Sequence, residues 1–348
     1  MKKKSKNKFL FNLFILIILG IGVYYVYQEF FANQILLKDK NYTFIYIKHN
    51  DNIDQVINEI NAQNIIKNLN NFKWLAKSMG LEKNIYPGKY RIINGMTMRQ
   101  IINLIKYNKE EKVKLNFNYQ IHNLEEFISY IDEKLELNST ELSELLNDKE
   151  ILYKSFQLEP DNAFSIVIPN SENVSWAISK EELFKILENN YHKIWDAKRI
   201  SLAKKTGFSI PEIITLASIV QSESRIKSEQ EKIAGVYINR LKKGMLLQAD
   251  PTLKFANKNF NVKRILNNDK EINSPYNTYK YKGLPPGPIC LVSQQAIDAT
   301  LNFNNHDFIF FCAKPELNGL SDYSSNYQQH KRFADAYHKA LDKKGINR

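Results

Sequence analysis

The segment LASIVQSESRI, Leu216 to Ile226, places a carboxylate where a helical pattern asks for a core residue. Ile213, Leu216, Ala217 and Val220 recur at helical spacing and form one apolar stripe. Glu223 follows Leu216 by seven positions, which brings it within about 20° of Leu216 around the helix axis. Its side chain therefore extends the buried face. Burial disfavours the charged form of a carboxyl group and raises its pKa. A carboxyl still protonated near neutral pH can hand its proton to a leaving oxygen. The same residue also has a plain structural reading, a helix-end glutamate paired with Lys227 at i, i+4.

The residues that follow suit a sugar. Asn239 and Arg240 come near the end of the next helix, and Gln248, Asp250 and Thr252 surround Pro251. SPYNTYKYKGLPPGPI adds Tyr276, Asn277, Thr278 and Tyr279 ahead of a proline–glycine turn. Amides grip hydroxyl and N-acetyl groups, and aromatic rings stack on sugar faces. Each residue alone also fits a turn or core role, and Asp250 has an alternative task in capping the turn at Pro251.

Elements that could hold these groups are visible around them. Pro211 suits the first turn of the Glu223 helix. Ser228 and Glu231 read as a capping box opening a helix through IAGVYINRLKKG, with Ile233, Val236, Tyr237 and Leu241 as its apolar face and Gly244 at its C-terminus. Ser179 and Glu182 read as a capping box for an amphipathic run to Trp195. Residues 42–108 read as a small binding module: strand YTFIYIK, a helix presenting Ile53, Val56, Ile57 and Ile60, strand PGKYRI, and a helix presenting Met98, Ile101, Ile102 and Ile105. KYNKEEKVK, Lys106 to Lys114, is charged and reads as a linker. The expected fold class is α+β.

The amino terminus sets the compartment. MKKKSKNK precedes FLFNLFILIILGIGVYYVYQEFF, Phe9 to Phe31, whose apolar part is long enough to cross a bilayer. The preceding lysines predict a cytoplasmic N-terminus in the inner membrane, with the rest of the chain on the outer, periplasmic side. No small-residue cleavage site follows, which favours an uncleaved single-pass anchor over a signal peptide. The net charge of +12 over 348 residues invites a nucleic-acid reading. Five of the lysines sit in the first eight residues and no basic stripe with interleaved aromatics exists elsewhere, so no nucleic-acid partner is expected. The spacing of Cys290 and Cys312 matches no metal or redox motif; both read as small core residues, with a disulfide left open.

ASIVQSES, VYINRLKKGMLLQADPTLKFA and SPYNTYKYKGLPPGPI, long and in this order, resemble the endolytic murein transglycosylases, the MltG/YceG-like proteins. The resemblance implies a basic tail (residues 1–8), a transmembrane anchor (9–31), a LysM-like module (40–110) and a mixed α+β catalytic domain (111–345). It implies a lyase, without metal or cofactor, that cuts peptidoglycan glycan strands between N-acetylmuramic acid and N-acetylglucosamine and leaves 1,6-anhydromuramoyl ends. It further implies action on nascent strands beside peptidoglycan synthases, limiting strand length. Glu223 matches the catalytic glutamate. Gln248, Asp250, Asn239, Arg240, Tyr276, Asn277 and Gln221 are the residues expected at the sugar. Three features depart from the family: Gln221 stands where a first glutamate is usual, Ser321 stands where a histidine is usual (the later His330 is kept), and FSIVIPNSEN matches an aromatic-rich loop loosely. Two rival functions remain open on sequence: a hydrolytic muramidase, with Asp250 or Glu229 as second carboxylate, and a non-catalytic peptidoglycan-binding scaffold, which the Gln221 departure favours.

Overall fold

A computed structural model describes residues 2–30, 35, 37, 40–66, 68–118, 120–262 and 265–343. It is a mixed α+β structure that begins with one long apolar helix, α1 (Lys2–Phe30). Within α1, Phe9–Gln28 is long and apolar enough to cross a membrane, and none of that stretch is buried. The basic run is continuous with this helix from Lys2. Phe31, the last residue of the expected anchor, and 344–348, which include the expected domain end, lie outside the described residues.

The chain divides into two compact units. The first takes in the residues up to Lys114, with Lys134–Glu136 and Asn173–Ile178. Here β1 (Tyr42–Ile47) is followed by α2 (Ile53–Ala62), α3 (Leu69–Ser78), β2 (Gly88–Ile93) and α4 (Met98–Lys106). The strands pair antiparallel, Tyr42 opposite Ile93 through Ile47 opposite Gly88. Alternation puts Ile45 and Ile47 inside and leaves Tyr46 outside. Asn52 and Thr97 open α2 and α4 with complete capping boxes. Met98, Ile101, Ile102 and Ile105 are wholly buried against Val56, Ile60 and Phe72. Sequence periodicity missed α3, whose buried face is only Phe72, Leu75 and Ala76 among lysines and asparagines. The expected linker is also more ordered than its charge suggested: the Glu110 side chain is buried and accepts from Ser175 Oγ at 2.7 Å and from Lys112 Nζ at 2.6 Å.

The remainder of the chain, apart from α1, is mostly helical. β3 (Val113–Asn116) pairs with β4 (Ser171–Val174) in a two-stranded sheet. Between and after them come α5 (Leu124–Lys134), α6 (Ser139–Asn147), α7 (Lys149–Phe156), α8 (Lys180–Ile194) and α9 (Ala197–Thr206). α10 (Ile210–Glu223) is the central element, packed against α11 (Lys227–Lys242), α12 (Asp250–Ala256) and α13 (Gln294–Leu301). A hairpin of β5 (Phe310–Ala313) and β6 (Ser321–Ser324) precedes α14 (Tyr327–Lys343). The Ser179–Glu182 capping box forms as expected.

Two local expectations change. α10 carries no single apolar stripe: every residue from Ile213 to Val220 is buried, because neighbours enclose the helix on all sides. Ser209 and Glu212 form its capping box, with Pro211 in the first turn. α11 begins at Lys227, so Ser228 lies inside the helix and caps nothing. The expected ending holds: Gly244 adopts φ +63, the left-handed conformation that glycine enters without a Cβ clash. Gly235 serves a different need. A Cβ there would stand 2.5 Å from the Asn304 carbonyl oxygen and 2.7 Å from His306 Nε2, so its absence lets that segment lie directly on α11.

Truncating Ile102 to Ala removes part of a side chain with no solvent exposure. The expected loss is about 3 kcal/mol, measured as a lower denaturant midpoint for the full chain in detergent micelles.

Candidate active site

Glu223 is the last residue of α10. It opens on a cleft of about 620 Å³ whose walls include Gln221, Ser222, Arg225, Pro251, Lys254 and Ile289. The residue remains partly accessible from this cleft, while its carboxyl is packed among protein atoms. Tyr237, fully buried on α11, donates its hydroxyl proton to Glu223 Oε1 at 2.7 Å. The alternative pairing with Lys227 does not form, and Lys227 instead faces Glu231 at 3.9 Å.

The carboxyl pKa is pushed up to about 7. Burial is the main cause; the Tyr237 hydrogen bond opposes it, the charge of Asp250 adds to it, and Lys254 and Arg240 oppose it. Its place at a helix C-terminus works in the same direction as burial, because unpaired carbonyls there disfavour a negative charge. The outcome is a carboxyl that keeps its proton well above the ordinary glutamate range, up to about neutral pH.

Gln221 lies one side of this group and is fully engaged. Its Nε2 donates to the Leu291 carbonyl at 2.9 Å, and its Oε1 accepts from the Ser293 N–H at 2.9 Å. Donor and acceptor together brace residues 290–293, a task that a glutamate, with no donor when ionised, performs only in half. Asp250 stands at the start of α12 and accepts from the Tyr279 hydroxyl at 2.5 Å. Gln248 is exposed, and its backbone takes a left-handed φ of +50 with its N–H bonded to the Thr278 carbonyl. Beneath it, Thr252 and Thr278 join hydroxyls at 2.8 Å, and the Ala249 N–H donates to Thr278 Oγ1. These contacts fasten α12 and the 274–281 turn together beside Glu223.

Other expected site residues are placed where their polar atoms are already used. Asn277 is wholly buried; its Nδ2 donates to the carbonyls of Lys270 and Ile272 and its Oδ1 accepts from the Tyr279 N–H. Asn239 donates to the carbonyls of His306 and Phe308. Arg240 is buried, donates to the carbonyls of Ile309 and Leu247, and lies over the Phe310 ring. These three side chains hold loops and present no free polar group to the cleft. Tyr276 packs its ring 4.5 Å from that of Phe255, half-buried. Glu229, the other proposed second carboxylate, is buried and accepts from the Ser321 N–H at 2.7 Å and the Tyr323 hydroxyl at 2.9 Å, with Lys232 at 3.4 Å. Ser321 thus contributes its backbone to the β6 anchor. His330 stacks on Phe310, remote from Glu223 in its contacts. Cys290 and Cys312 are both free; burial pushes the Cys290 thiol up to about 11, so at neutral pH it is a protonated wall residue.

Tyr237 was visible in the sequence only as a member of an apolar face. The available signal was its hydroxyl, since a buried tyrosine needs a hydrogen-bond partner. Lys254 was passed over because it sits among the apolar residues of LKFA.

Replacing Tyr237 by Phe removes the one hydrogen bond that holds the Glu223 pKa down, so the pKa rises above 7. Gln221→Glu adds a like charge and raises it as well. Infrared titration of the carboxyl band, differenced against Glu223→Gln, reads both shifts; a fall in either variant contradicts this assignment of causes.

Residues 45–336 match the YceG-like family. The endolytic murein transglycosylase of Bacillus subtilis (strain 168) is 25% identical over 341 residues, 91% of each chain. That of Streptococcus pneumoniae serotype 2 is 33% identical over 136 residues, which are 38% of this chain and 24% of the relative. A crystal structure of a yceG-like protein from Listeria monocytogenes superposes with a TM-score of 0.54 over 84% of this chain and 99% of its own, at 22% identity, a likeness of fold. With a match spanning most of its length and a homologue that runs nearly end to end with it, the chain belongs to the YceG-like family.

Proposed function

We propose that this protein is a membrane-anchored endolytic lytic transglycosylase that cleaves the N-acetylmuramic acid–N-acetylglucosamine bonds of nascent peptidoglycan strands. The reading is carried by one observation: a carboxyl with a pKa of about 7, open to a cleft, held by a single hydrogen bond from Tyr237. Protonated Glu223 donates to the glycosidic oxygen as the bond breaks through an oxocarbenium-like state. The carboxylate so formed takes the proton of the muramic C6 hydroxyl, whose oxygen closes on C1 to give the 1,6-anhydro ring. No atom of water enters the product.

The alternative muramidase needs a second carboxylate to activate water or attack the sugar. Asp250 is tied to Tyr279 and Glu229 is enclosed by β6, which favours the one-carboxylate route. Gln221 does not argue for a scaffold without turnover, since its amide is spent on the 290–293 backbone. In the proposed site Gln248 and Tyr276 meet the sugar directly, while Gln221, Asn239, Arg240, Asn277 and Asp250 hold the loops that shape it. The apolar stretch of α1 serves as the anchor, with the N-terminus in the cytoplasm and the catalytic domain (111–345) outside. Residues 40–110 serve as the LysM-like module, and peptidoglycan synthases are the partners whose products are cut.

Mass spectrometry of sugars released from purified strands tests the reaction. The wild type is expected to release anhydro-ended fragments, lighter by one water than hydrolysis products, and Glu223→Gln to release them about 10³-fold more slowly. Reducing ends would overturn the lytic route, and an unimpaired Gln variant would overturn the role of Glu223.

Two pH effects follow from the raised pKa. The protonated acid is the active form, so kcat falls as pH rises through about 7. Stability carries the same sign. Between the ordinary glutamate value and 7 the folded state holds a proton that the unfolded state has lost, so this group's contribution declines as pH rises across that window. Glu223→Gln, which keeps an acceptor for Tyr237, should raise Tm relative to wild type at pH 8 and leave it nearly unchanged at pH 4.

A further inference from the structure

A second cavity, about 730 Å³, lies in the same unit as Glu223 and is bordered by Asn123, Glu125, Ser129, Tyr130, Phe255 and Phe260. Phe260 also borders the Glu223 cleft, so one side chain is a wall common to both spaces. Its residue surface is 40% exposed. A phenyl group left in water on a loop is ordinarily free to change rotamer. This one is held. His122 lies flat against it, centroids 3.6 Å apart and planes 13° from parallel.

The imidazole is itself fastened. Glu126 Oε2 lies 2.9 Å from both the His122 Nδ1 and its backbone N–H. Asn123 Nδ2 donates to Glu126 Oε1, and the Glu126 N–H donates back to Asn123 Oδ1 at 2.8 Å. The start of α5 thus fixes histidine, and histidine fixes phenylalanine. This stack covers one face of the phenyl ring and Phe255 meets it edge-on, centroids 6.5 Å apart, while part of the residue stays exposed. Holding an exposed aromatic in one orientation lowers the entropy lost when a ligand stacks on it. Around the ring the cavity is polar: the Tyr130 hydroxyl accepts from the Asn116 N–H at 2.8 Å and keeps its own proton for donation, and Glu125 and Ser129 face solvent.

We propose that this cavity is a second sugar-binding subsite, next to the Glu223 cleft across the shared Phe260 wall, in which the exposed part of the Phe260 ring stacks on a pyranose face of the glycan strand. The identity of the ligand rests on the proposed function; the wall shared by the two spaces and the clamped ring do not. A polymer cut at an internal bond must be held on both sides of that bond, and the cleft at Glu223 alone offers space for few sugars. An aromatic platform bordered by hydroxyl, amide and carboxylate groups is the chemistry that grips a carbohydrate, whose ring faces carry C–H groups and whose edge carries hydroxyls.

The test measures binding to the full chain in detergent micelles, in the Glu223→Gln background so that nothing is consumed. Peptide-free glycan is supplied as a disaccharide and as an octasaccharide. Phe260→Ala should weaken octasaccharide binding about tenfold and leave disaccharide binding within twofold. Phe260→Trp should restore the longer ligand. Ser129→Trp, which fills the cavity from the exposed face of α5 and leaves residue 260 unchanged, should reproduce the length-selective loss. Equal binding of the octasaccharide by all variants overturns the subsite, as does equal loss of both lengths or failure of the parent to bind any glycan. Length-dependent binding that responds to Phe260 in a protein that never cleaves strands would overturn the proposed reaction and leave the subsite in place.

Discussion

The structure depends on the placement of one carboxyl group at the edge of a fully enclosed helix. α10 is buried around its whole circumference to Val220 and ends three residues later at Glu223. Its last residue therefore meets a low-dielectric environment on the helix side and a cleft on the other. Burial alone would drive the carboxyl to remain protonated and useless as a base. The Tyr237 hydrogen bond, with more distant help from Lys254 and Arg240, draws the pKa back towards neutrality. The proposed reaction asks Glu223 first to give a proton and then to accept one, and a group so used works best when its pKa lies near the ambient pH. The opposing influences of burial and Tyr237 meet that requirement without a second carboxylate.

Most of the surrounding polar residues keep this arrangement rigid. Amides and the guanidinium of Arg240 tie irregular backbone in place: Asn277 of the 274–281 turn holds the 270–272 segment, Asn239 and Arg240 on α11 hold the 306–309 segment, and Gln221 on α10 holds the 290–293 segment. Irregular backbone near a core carries N–H and C=O groups that cost free energy if unpaired, and side-chain amides can supply both kinds of partner. Gln221 shows why the choice of amide over acid matters. It stands between a carbonyl that needs a donor and an N–H that needs an acceptor. A glutamate would have charged the neighbourhood of Glu223 and left the Leu291 carbonyl without that donor.

Helices α2 and α4 of the first unit, α8 and the two that flank Glu223 were legible because their signals are local. The Ser179–Glu182 capping box and the apolar spacing of Met98, Ile101, Ile102 and Ile105 depend on residues within a turn or two of each other. Glu223 was legible for the same reason, as a carboxylate in register with Leu216. What escaped is set by distant neighbours. α3 has too narrow an apolar face to announce itself. The full enclosure of α10 depends on α11, α12 and α13, of which the last lies some seventy residues further on. Asn277 and Asn239 look from their type like sugar ligands, and only the position of carbonyls elsewhere shows their amides to be spent. The Tyr237–Glu223 bond spans a helix end, a turn and most of three helical turns, a separation no spacing rule covers.

The proposed chemistry also explains why a cleft this open can serve. A hydrolase must position a water molecule and keep the intermediate in place until it reacts. In the proposed reaction the nucleophile is a hydroxyl on the same sugar ring, and well-oriented intramolecular groups act at effective concentrations of roughly 10⁵–10⁸ M, far above the tens of molar of bulk water. Water in the cleft is therefore outcompeted without being excluded. The burden on the protein falls on holding the ring so that C6–OH faces C1, and on supplying one proton at the right moment. Rigid loops around Glu223 meet the first demand and the Tyr237-tempered carboxyl meets the second. A cleft freed from the need to exclude solvent can stay open at its ends, and an opening at the ends is what a long strand requires in order to be cut in its interior.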